Sequence, residues 1–254
     1  LENEFVKVQL DPATGGIASF VCKTGGVDLI APGDAAGFEF AVERPHGMSA
    51  WALMDTDDVQ PLKVAGIARE HLGPHVASAR VQLKIRDSAF TVIYELRAGD
   101  PQIHIRIKGT WVERGSPQTG VPVLRWRLPA ALENIRARYD IPFGSIERPH
   151  RNGQEVPAIG WASLSGTVDG KEAGLVLVND YQHGHALDEN CLRLHLIRSS
   201  YAPDPLPEIG EHEMQLRLGP TLGPATPAEA NRRAAAQHHP LVPTGTDIHE
   251  GECP

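Results

Sequence analysis

Apolar and polar residues alternate along much of the chain with a period of two. In the stretch 103–108, for example, Ile103, Ile105 and Ile107 alternate with His104 and Arg106. The same pattern recurs in five further stretches: 6–10, 80–86, 90–96, 192–196 and 214–218. Because successive side chains of a strand point to opposite faces of a sheet, this alternation predicts half-buried antiparallel strands.

Turn-forming residues separate these stretches. Clusters of Gly, Pro, Asn, Asp and Thr lie at 24–26, 98–101, 152–153 and 169–170. Such clusters mark reversals of the chain between strands. Their spacing favours long strands in two packed sheets. The sequence therefore predicts an all-β fold, a large antiparallel β-sandwich.

One short helix is predicted near the C-terminus. Thr226 can cap it, Pro227 suits its first position and Glu229 can complete a capping box before an Ala-rich stretch. After Pro240 the residues are mostly those that bury little surface. We therefore expect one sandwich domain over residues 1–240 and a loose tail over 241–254.

Composition narrows the class of protein without identifying an activity. The chain has 254 residues, 41% hydrophobic and 22% charged, which is ordinary for a soluble globular protein. The net charge of −8 is spread along the chain without a Lys/Arg cluster, so nucleic acid is not an expected partner. The chain contains no run of about 18 apolar residues, the length that a membrane span requires. A membrane partner is therefore not expected either.

Cysteine usage points to a reducing compartment. Cys22, Cys191 and Cys253 are odd in number and far apart, and they form no Cys-x-x-Cys motif. Asn-x-Ser/Thr sequons are absent as well. Both observations favour a cytoplasmic location.

Several segments together resemble one known family. They are YDIPFGSIERP at 139–149, GQEVPA at 153–158, WASLS at 161–165, LVLVND at 175–180, LRLHLIRS at 192–199, PDP at 203–205 and GEHE at 210–213. With LENEFVKV at 1–8 and GGIAS at 15–19, they resemble the C-terminal β-rich region of glycoside hydrolase family 38, the zinc-dependent retaining α-mannosidases. The resemblance covers roughly residues 1–220.

The resemblance sharpens the expected fold and function. It implies a supersandwich of the galactose-mutarotase type that supports a catalytic domain and lines part of a mannoside cavity. In that family the zinc and the nucleophile lie upstream of this region, so the resemblance implies no catalytic residue and no cofactor here. The sequence agrees, because none of its histidines begins a His-x-Asp pair and no His-Glu-x-x-His or Gly-x-Ser-x-Gly motif occurs.

The best candidate for a sugar-facing loop is 179–185. It follows a buried-looking apolar run and contains Asp180, Tyr181, Gln182 and His183, which combine hydrogen-bonding groups with an aromatic face. The family resemblance implies a loop of the form Asn-Asp-x-Lys-Tyr-Gly near the substrate cavity, and here Gln182 and His183 replace its basic and aromatic residues. The alternative is structural: Asp180 caps a turn and Tyr181 packs on a sheet.

Two further groups are candidates. Glu147 and Arg148 could clamp sugar hydroxyls, or they could form a structural ion pair. His183 and His185 could supply half of a metal site, but zinc sites need three or four ligands, so no metal site is predicted.

Two other functions remain open from the sequence. A stand-alone carbohydrate-binding sandwich would need no catalytic domain. A mutarotase-like epimerase would need a His and a Glu that converge on a pyranose. Candidates for that pair exist but have no supporting spacing: His150, His183, His185, Glu147 and Glu155.

Overall fold

The structure, a computed structural model, describes residues 1–149, 153–206, 208–242 and 245. The strands of the first half are β1 (Val6–Leu10), β2 (Ile17–Cys22), β3 (Val27–Asp28), β4 (Gly37–Glu43), β5 (Thr56–Pro61), β6 (Lys63–Leu72), β7 (Val76–Ile85), β8 (Ser88–Arg97) and β9 (Ile103–Trp111). Those of the second half are β10 (Val121–Pro129), β11 (Glu133–Ile141), β12 (Gly144–Arg148), β13 (Glu155–Pro157), β14 (Trp161–Val168), β15 (Lys171–Asn179), β16 (Gly184–Asp188), β17 (Cys191–Arg198) and β18 (Gly210–Thr221).

These strands form three antiparallel sheets within the described residues. The largest has nine strands in the order β12-β11-β14-β15-β18-β9-β8-β7-β6. The second has six strands in the order β13-β16-β17-β10-β4-β5, and the third joins β1, β2 and β3. The six stretches of period-two alternation fall on strands, as predicted, except that Arg86 lies in the turn just after β7.

A hydrophobic core joins the six- and nine-stranded sheets. Ile105 of β9 and Leu194 of β17 are both fully buried in it, together with Trp111 and Trp126. Their polar neighbours along each strand point away from this core because of the strand alternation. The predicted all-β sandwich is therefore confirmed.

The predicted turn at 169–170 has the geometry of a tight hairpin. Val168 pairs with Lys171, so Asp169 and Gly170 alone form the connection, with φ angles of 51° and 74°. Two successive positive φ values match a type I′ turn, whose twist suits the flanking strands. Of the predicted turn at 152–153, Asn152 lies outside the described residues.

The predicted helix is present as α1 (Pro227–His238). The backbone N–H of Glu229 donates to Thr226 Oγ1 at 3.2 Å, which confirms the N-cap. The Glu229 carboxylate accepts from Arg233 at 2.6 Å instead of closing the capping box. Ala230 and Ala234 pack on the outer face of the nine-stranded sheet. Most of the predicted tail, 241–254, lies outside the described residues, and the boundary at 240 stays a prediction.

No helix in the described part of the chain is both long enough and apolar enough to cross a bilayer.

Candidate functional site

Charged side chains concentrate on the face of the six-stranded sheet that points away from the core. The strand register sets Arg125 of β10 opposite Glu39 of β4 on one side and His195 of β17 on the other. Two residues further along β10, Arg127 lies opposite Arg193 of β17. We call this surface the polar groove and define its floor by six residues: Glu39, Arg125, Arg127, Glu155, Arg193 and His195.

Glu39 is the centre of this arrangement. Its Oε1 lies 2.8 Å from Arg125 Nε and 3.0 Å from Arg193 Nε, and its Oε2 lies 3.6 Å from Arg127 Nε. The Glu39 residue is only 4% exposed. A buried carboxylate is tolerated when opposite charges compensate it. The buried Glu39 carboxylate therefore compensates charge on three guanidinium groups.

Two further carboxylates complete the outer ion pairs. Asp34 Oδ2 accepts from Arg127 Nη2 at 2.7 Å, and Asp188 Oδ2 accepts from Arg193 Nη1 at 3.3 Å. The hydrogen bond from Arg127 holds the pKa of Asp34 below its usual range. Arg127 and Arg193 are thus fixed in direction by hydrogen bonds to carboxylates, whereas Arg125 Nε lies close to Glu39 without the alignment of a hydrogen bond.

A histidine and a glutamate meet at the other end of the groove. His195 Nε2 lies 2.6 Å from Glu155 Oε1, although the pair lacks the alignment of a hydrogen bond. Gly184 of β16 passes beside them, and a Cβ there would stand 3.3 Å from His195 Cβ. The glycine therefore leaves space for the imidazole.

Two open cavities lie over the polar groove. One has a volume of about 640 Å³ and extends from Asp34 to Arg193. The other, of about 710 Å³, reaches from Arg125 to Glu155. Arg193 and Val59 line both cavities, so the cavities adjoin. Each volume falls within the range of ligand sites, about 300–1,000 Å³.

A well-anchored loop, residues 44–55, borders the second cavity. Arg198 donates to the carbonyls of Ser49 and Ala52 at 2.5 and 2.8 Å, and it forms a bidentate pair with Glu43, which is 1% exposed. The side chains that this loop presents to solvent are mainly apolar: Met48, Trp51, Leu53 and Met54. The backbone is held in place while the apolar side chains stay uncovered.

The predicted sugar-facing loop is anchored to its surroundings. Asp180 Oδ2 accepts from the backbone N–H of Gln215 at 2.7 Å, and Asp180 Oδ1 accepts from Gln237 at 2.5 Å. Tyr181 is 56% exposed and donates its hydroxyl to the Glu213 carbonyl, while Gln182 is buried. These contacts give Asp180 a structural role, but they join it to β18 and α1 and are not those of a local turn cap. Sugar contact by this loop stays a prediction.

Glu147 and Arg148 do not pair with each other, because neighbouring residues of β12 point to opposite faces. Glu147 lies 3.4 Å from Arg138, and Arg148 donates to the Pro157 carbonyl at 2.7 Å. The Arg148 guanidinium also lies over the ring of Tyr139, 5.2 Å from its centre. The expected mutual ion pair is therefore replaced by two separate contacts.

His183 and His185 point in different directions. His183 Nδ1 contacts the Ala158 carbonyl at 3.1 Å, whereas His185 is fully buried and packs edge-on against Tyr139. Burial lowers the pKa of His185 to about 4. Among the residues that the structure describes, no three His, Cys, Asp or Glu side chains come together to hold a metal ion. His150, an epimerase candidate, lies outside the described residues.

The polar groove was not predicted from the sequence, and Glu155 alone of its floor residues was a candidate there. Its signal is present in β10 and β17, where Arg125 and Arg127, and then Arg193 and His195, occupy alternate positions. This alternation also suits a solvent-facing sheet surface. The pairing of β10 with β4 places Glu39 opposite Arg125, and these residues are about 85 positions apart in sequence. This pairing cannot be predicted from either strand alone.

Comparisons with known proteins agree on one family. The model of the glycosyl hydrolases family 38 C-terminal domain matches residues 1–206. Alpha-mannosidase 2C1 from Mus musculus and its Homo sapiens counterpart are each 30% identical over 256 residues, which is 95% of this chain. The aligned region is 24% of either relative, so the chain spans about a quarter of their length.

Solved structures share the fold. An alpha-mannosidase from Enterococcus faecalis V583 has a TM-score of 0.78 at 14% identity and covers 99% of this chain and 32% of its own. A galactose mutarotase related enzyme from Lactobacillus acidophilus has a TM-score of 0.50 at 10% identity, with coverage of 88% and 97%. Because the family model matches residues 1–206, the chain belongs to the glycosyl hydrolases family 38 as a C-terminal domain.

Proposed function

We propose that this domain docks against the catalytic part of an α-mannosidase-like hydrolase and lines part of its sugar cavity. The curated relatives named above are alpha-mannosidases in which a region like this one makes up about a quarter of the length. By analogy, the catalytic zinc belongs to the remaining part and the substrate is a mannoside. We also propose a cytoplasmic location, which suits the free thiols of Cys22 and Cys191.

The observation that carries this proposal is Phe143, at the tip of the β11–β12 hairpin. Ile141 pairs with Gly144, so Pro142 and Phe143 alone form the turn, and Phe143 has a φ of 63°. A positive φ at this turn position ordinarily belongs to glycine. The Phe143 side chain is also fully exposed. A bulky aromatic residue that is both strained and exposed gains nothing within this domain, which favours a contact with a partner.

Two other exposed apolar residues lie near this hairpin. Ile146 of β12 and Ile159, whose backbone N–H donates to the Asp140 carbonyl of β11, are each 41% exposed. We define the docking edge as these two residues with Phe143. Aromatic and aliphatic side chains of this kind anchor stable interfaces, whereas charged residues are depleted from interface centres.

The segment 157–160 connects the docking edge to the predicted sugar-binding residues. Arg148 donates to the Pro157 carbonyl, and the backbone N–H of Ala158 donates to the His183 carbonyl at 2.9 Å. Pro157 also ends β13, two residues after Glu155 of the polar groove. A catalytic domain on this edge would therefore stand beside both Arg148 and the loop 179–185.

The test is Phe143→Gly, measured in two settings. In this chain alone, relief of the left-handed backbone strain is worth about 1–2 kcal/mol, and the added flexibility of glycine costs about 0.5–1 kcal/mol. The melting temperature should therefore stay the same or rise slightly. In the chain joined to a family 38 catalytic segment, hydrolysis of an aryl α-mannoside should fall about tenfold or more, as for the loss of an aromatic anchor.

Leu72→Ala is the matched control. Leu72 is 70% exposed on β6, at the opposite edge of the same sheet, and it should leave both measurements unchanged. A lower melting temperature of Phe143→Gly in the chain alone would show a structural role for Phe143. Equal hydrolysis by the two variants would remove this edge from the interface.

A further inference from the structure

We propose that the polar groove is itself a carbohydrate site that binds a neutral pyranoside on the face of the six-stranded sheet. This inference is independent of docking, because the groove is built wholly from residues of this chain. Apart from Glu155, an epimerase candidate, the side chains of its floor were not predicted from the sequence to bind a ligand.

The balance of charge favours a neutral ligand. Six carboxylates line the two cavities, those of Asp11, Asp34, Glu39, Asp55, Glu155 and Asp188, against three guanidiniums, those of Arg125, Arg127 and Arg193. A phosphate or a uronate would meet an excess of negative charge. Sugar hydroxyls both donate and accept, so they suit a surface where carboxylates and guanidiniums alternate.

Burial fixes the polar groups of the floor in place before a ligand arrives. Arg125 is 7% exposed and Glu39 is 4% exposed, and both line a cavity. The Nη1 of Arg125 reaches a protein partner, Thr56 Oγ1, only at 3.4 Å. A contact at that distance is weak, so a ligand hydroxyl can compete for this donor. Donors that are already oriented lose little conformational entropy on binding.

The groove also has an apolar wall. Val59 of β5 is 52% exposed and lines both cavities, and Leu53 and Met54 are 49% and 47% exposed at the second. Sugars combine hydroxyl groups with apolar C–H faces, and the pairing of this wall with the polar floor matches both. The anchoring of the loop 44–55 by Arg198 keeps Leu53 and Met54 beside the floor.

The experiment is a titration of the chain with methyl α-D-mannopyranoside, followed by NMR chemical shifts and by calorimetry. We expect saturable binding that shifts signals of Val59, Leu53 and the floor. Val59→Asp should weaken it about tenfold or more, roughly the loss of one good contact. Val59 lies on an edge strand and is half exposed, so this variant should fold.

Leu72→Asp is the matched control, since Leu72 is an exposed apolar residue on the edge strand of the other sheet. It should bind the sugar like the unaltered chain. Inorganic phosphate is the second probe and should produce no saturable response. Three results would overturn the proposal. The first is mannoside binding that Val59→Asp leaves unchanged, the second is no saturable response to the mannoside, and the third is tighter binding of phosphate than of the mannoside. Phe143→Gly should not alter this titration, so failure of the docking proposal can be distinguished from failure of this one.

Discussion

Glu39 and Arg193 meet across β10, the strand between them, with Glu39 Oε1 3.0 Å from Arg193 Nε. Neither side chain reaches bulk water freely, because Glu39 is buried and Arg193 is half-buried. The contact joins two strands that lie about 155 residues apart in sequence. An arginine on the polar side of an alternating strand is therefore part of a buried charge network.

Glu39→Gln tests this network. The change keeps the shape of the side chain but leaves three guanidiniums with less compensating charge, so the free energy of unfolding should fall by about 3–5 kcal/mol. Urea denaturation measures it. Glu147→Gln is the control, because Glu147 makes one exposed pair with Arg138 and should lose less than about 1 kcal/mol. Equal losses in the two variants would contradict a central role for Glu39.

Alanine substitutions at core positions of the strands should lower the melting temperature more than those at surface positions. Ile105→Ala and Leu194→Ala should each cost about 2–5 kcal/mol through lost burial and a residual cavity. Arg106→Ala should cost little, since Arg106 makes one partly exposed pair with Glu95 at 3.3 Å. The alternation predicts the same tolerance for Arg193, but its contacts with Glu39 and Asp188 now predict a clear loss. Equal melting temperatures of Arg193→Ala and Arg106→Ala would contradict the predicted loss at Arg193.

His185 should make stability depend on pH. Burial lowers its pKa to about 4 in the folded chain, below the value of about 6.5 for an unperturbed histidine. The unfolded chain therefore binds more protons between these two values, and stability is lost as the pH falls from about 6.5 to about 4. The slope of the free energy of unfolding over this window should be smaller in His185→Asn. An unchanged slope would mean that His185 is not the titrating group.

Asp180→Ala distinguishes the two interpretations of the loop 179–185. The substitution removes the acceptor for Gln215 N–H and for the Gln237 amide, so it should destabilise the fold by about 1–3 kcal/mol. If Asp180 also binds sugar, the mannoside affinity of the folded protein should fall about tenfold to a hundredfold. Melting curves and sugar titrations of the same variant separate the two effects. A lowered melting temperature with unchanged binding would remove Asp180 from the sugar site.

The fold was largely predictable because its signals are local. Alternation identified six of the described strands, namely β1, β7, β8, β9, β17 and β18. Asp169 and Gly170 identified a hairpin, and Thr226 identified the start of α1. The resemblance supplied the sandwich type. Register between distant strands was not predictable, because it depends on contacts between residues far apart in the sequence.

The candidate site illustrates the same limit. Asp180 and Arg148 stood out by their residue types and by the family resemblance, and the structure gives both of them protein partners. The residues of the polar groove come from β4, β10, β13 and β17, and only the folded sheet brings them together. Phe143 lies within the family-like segment 139–149, but its backbone strain and its exposure could not be predicted from the sequence.

The most direct test of the account is hydrolysis of an aryl α-mannoside by the purified 254-residue chain, with and without added zinc. If the domain supports a catalytic part and lines its cavity, the chain alone should show no turnover above background under either condition. Joined to a family 38 catalytic segment, the same chain should be part of an active enzyme. Zinc-dependent turnover by the chain alone, abolished by a single substitution within it, would contradict the account.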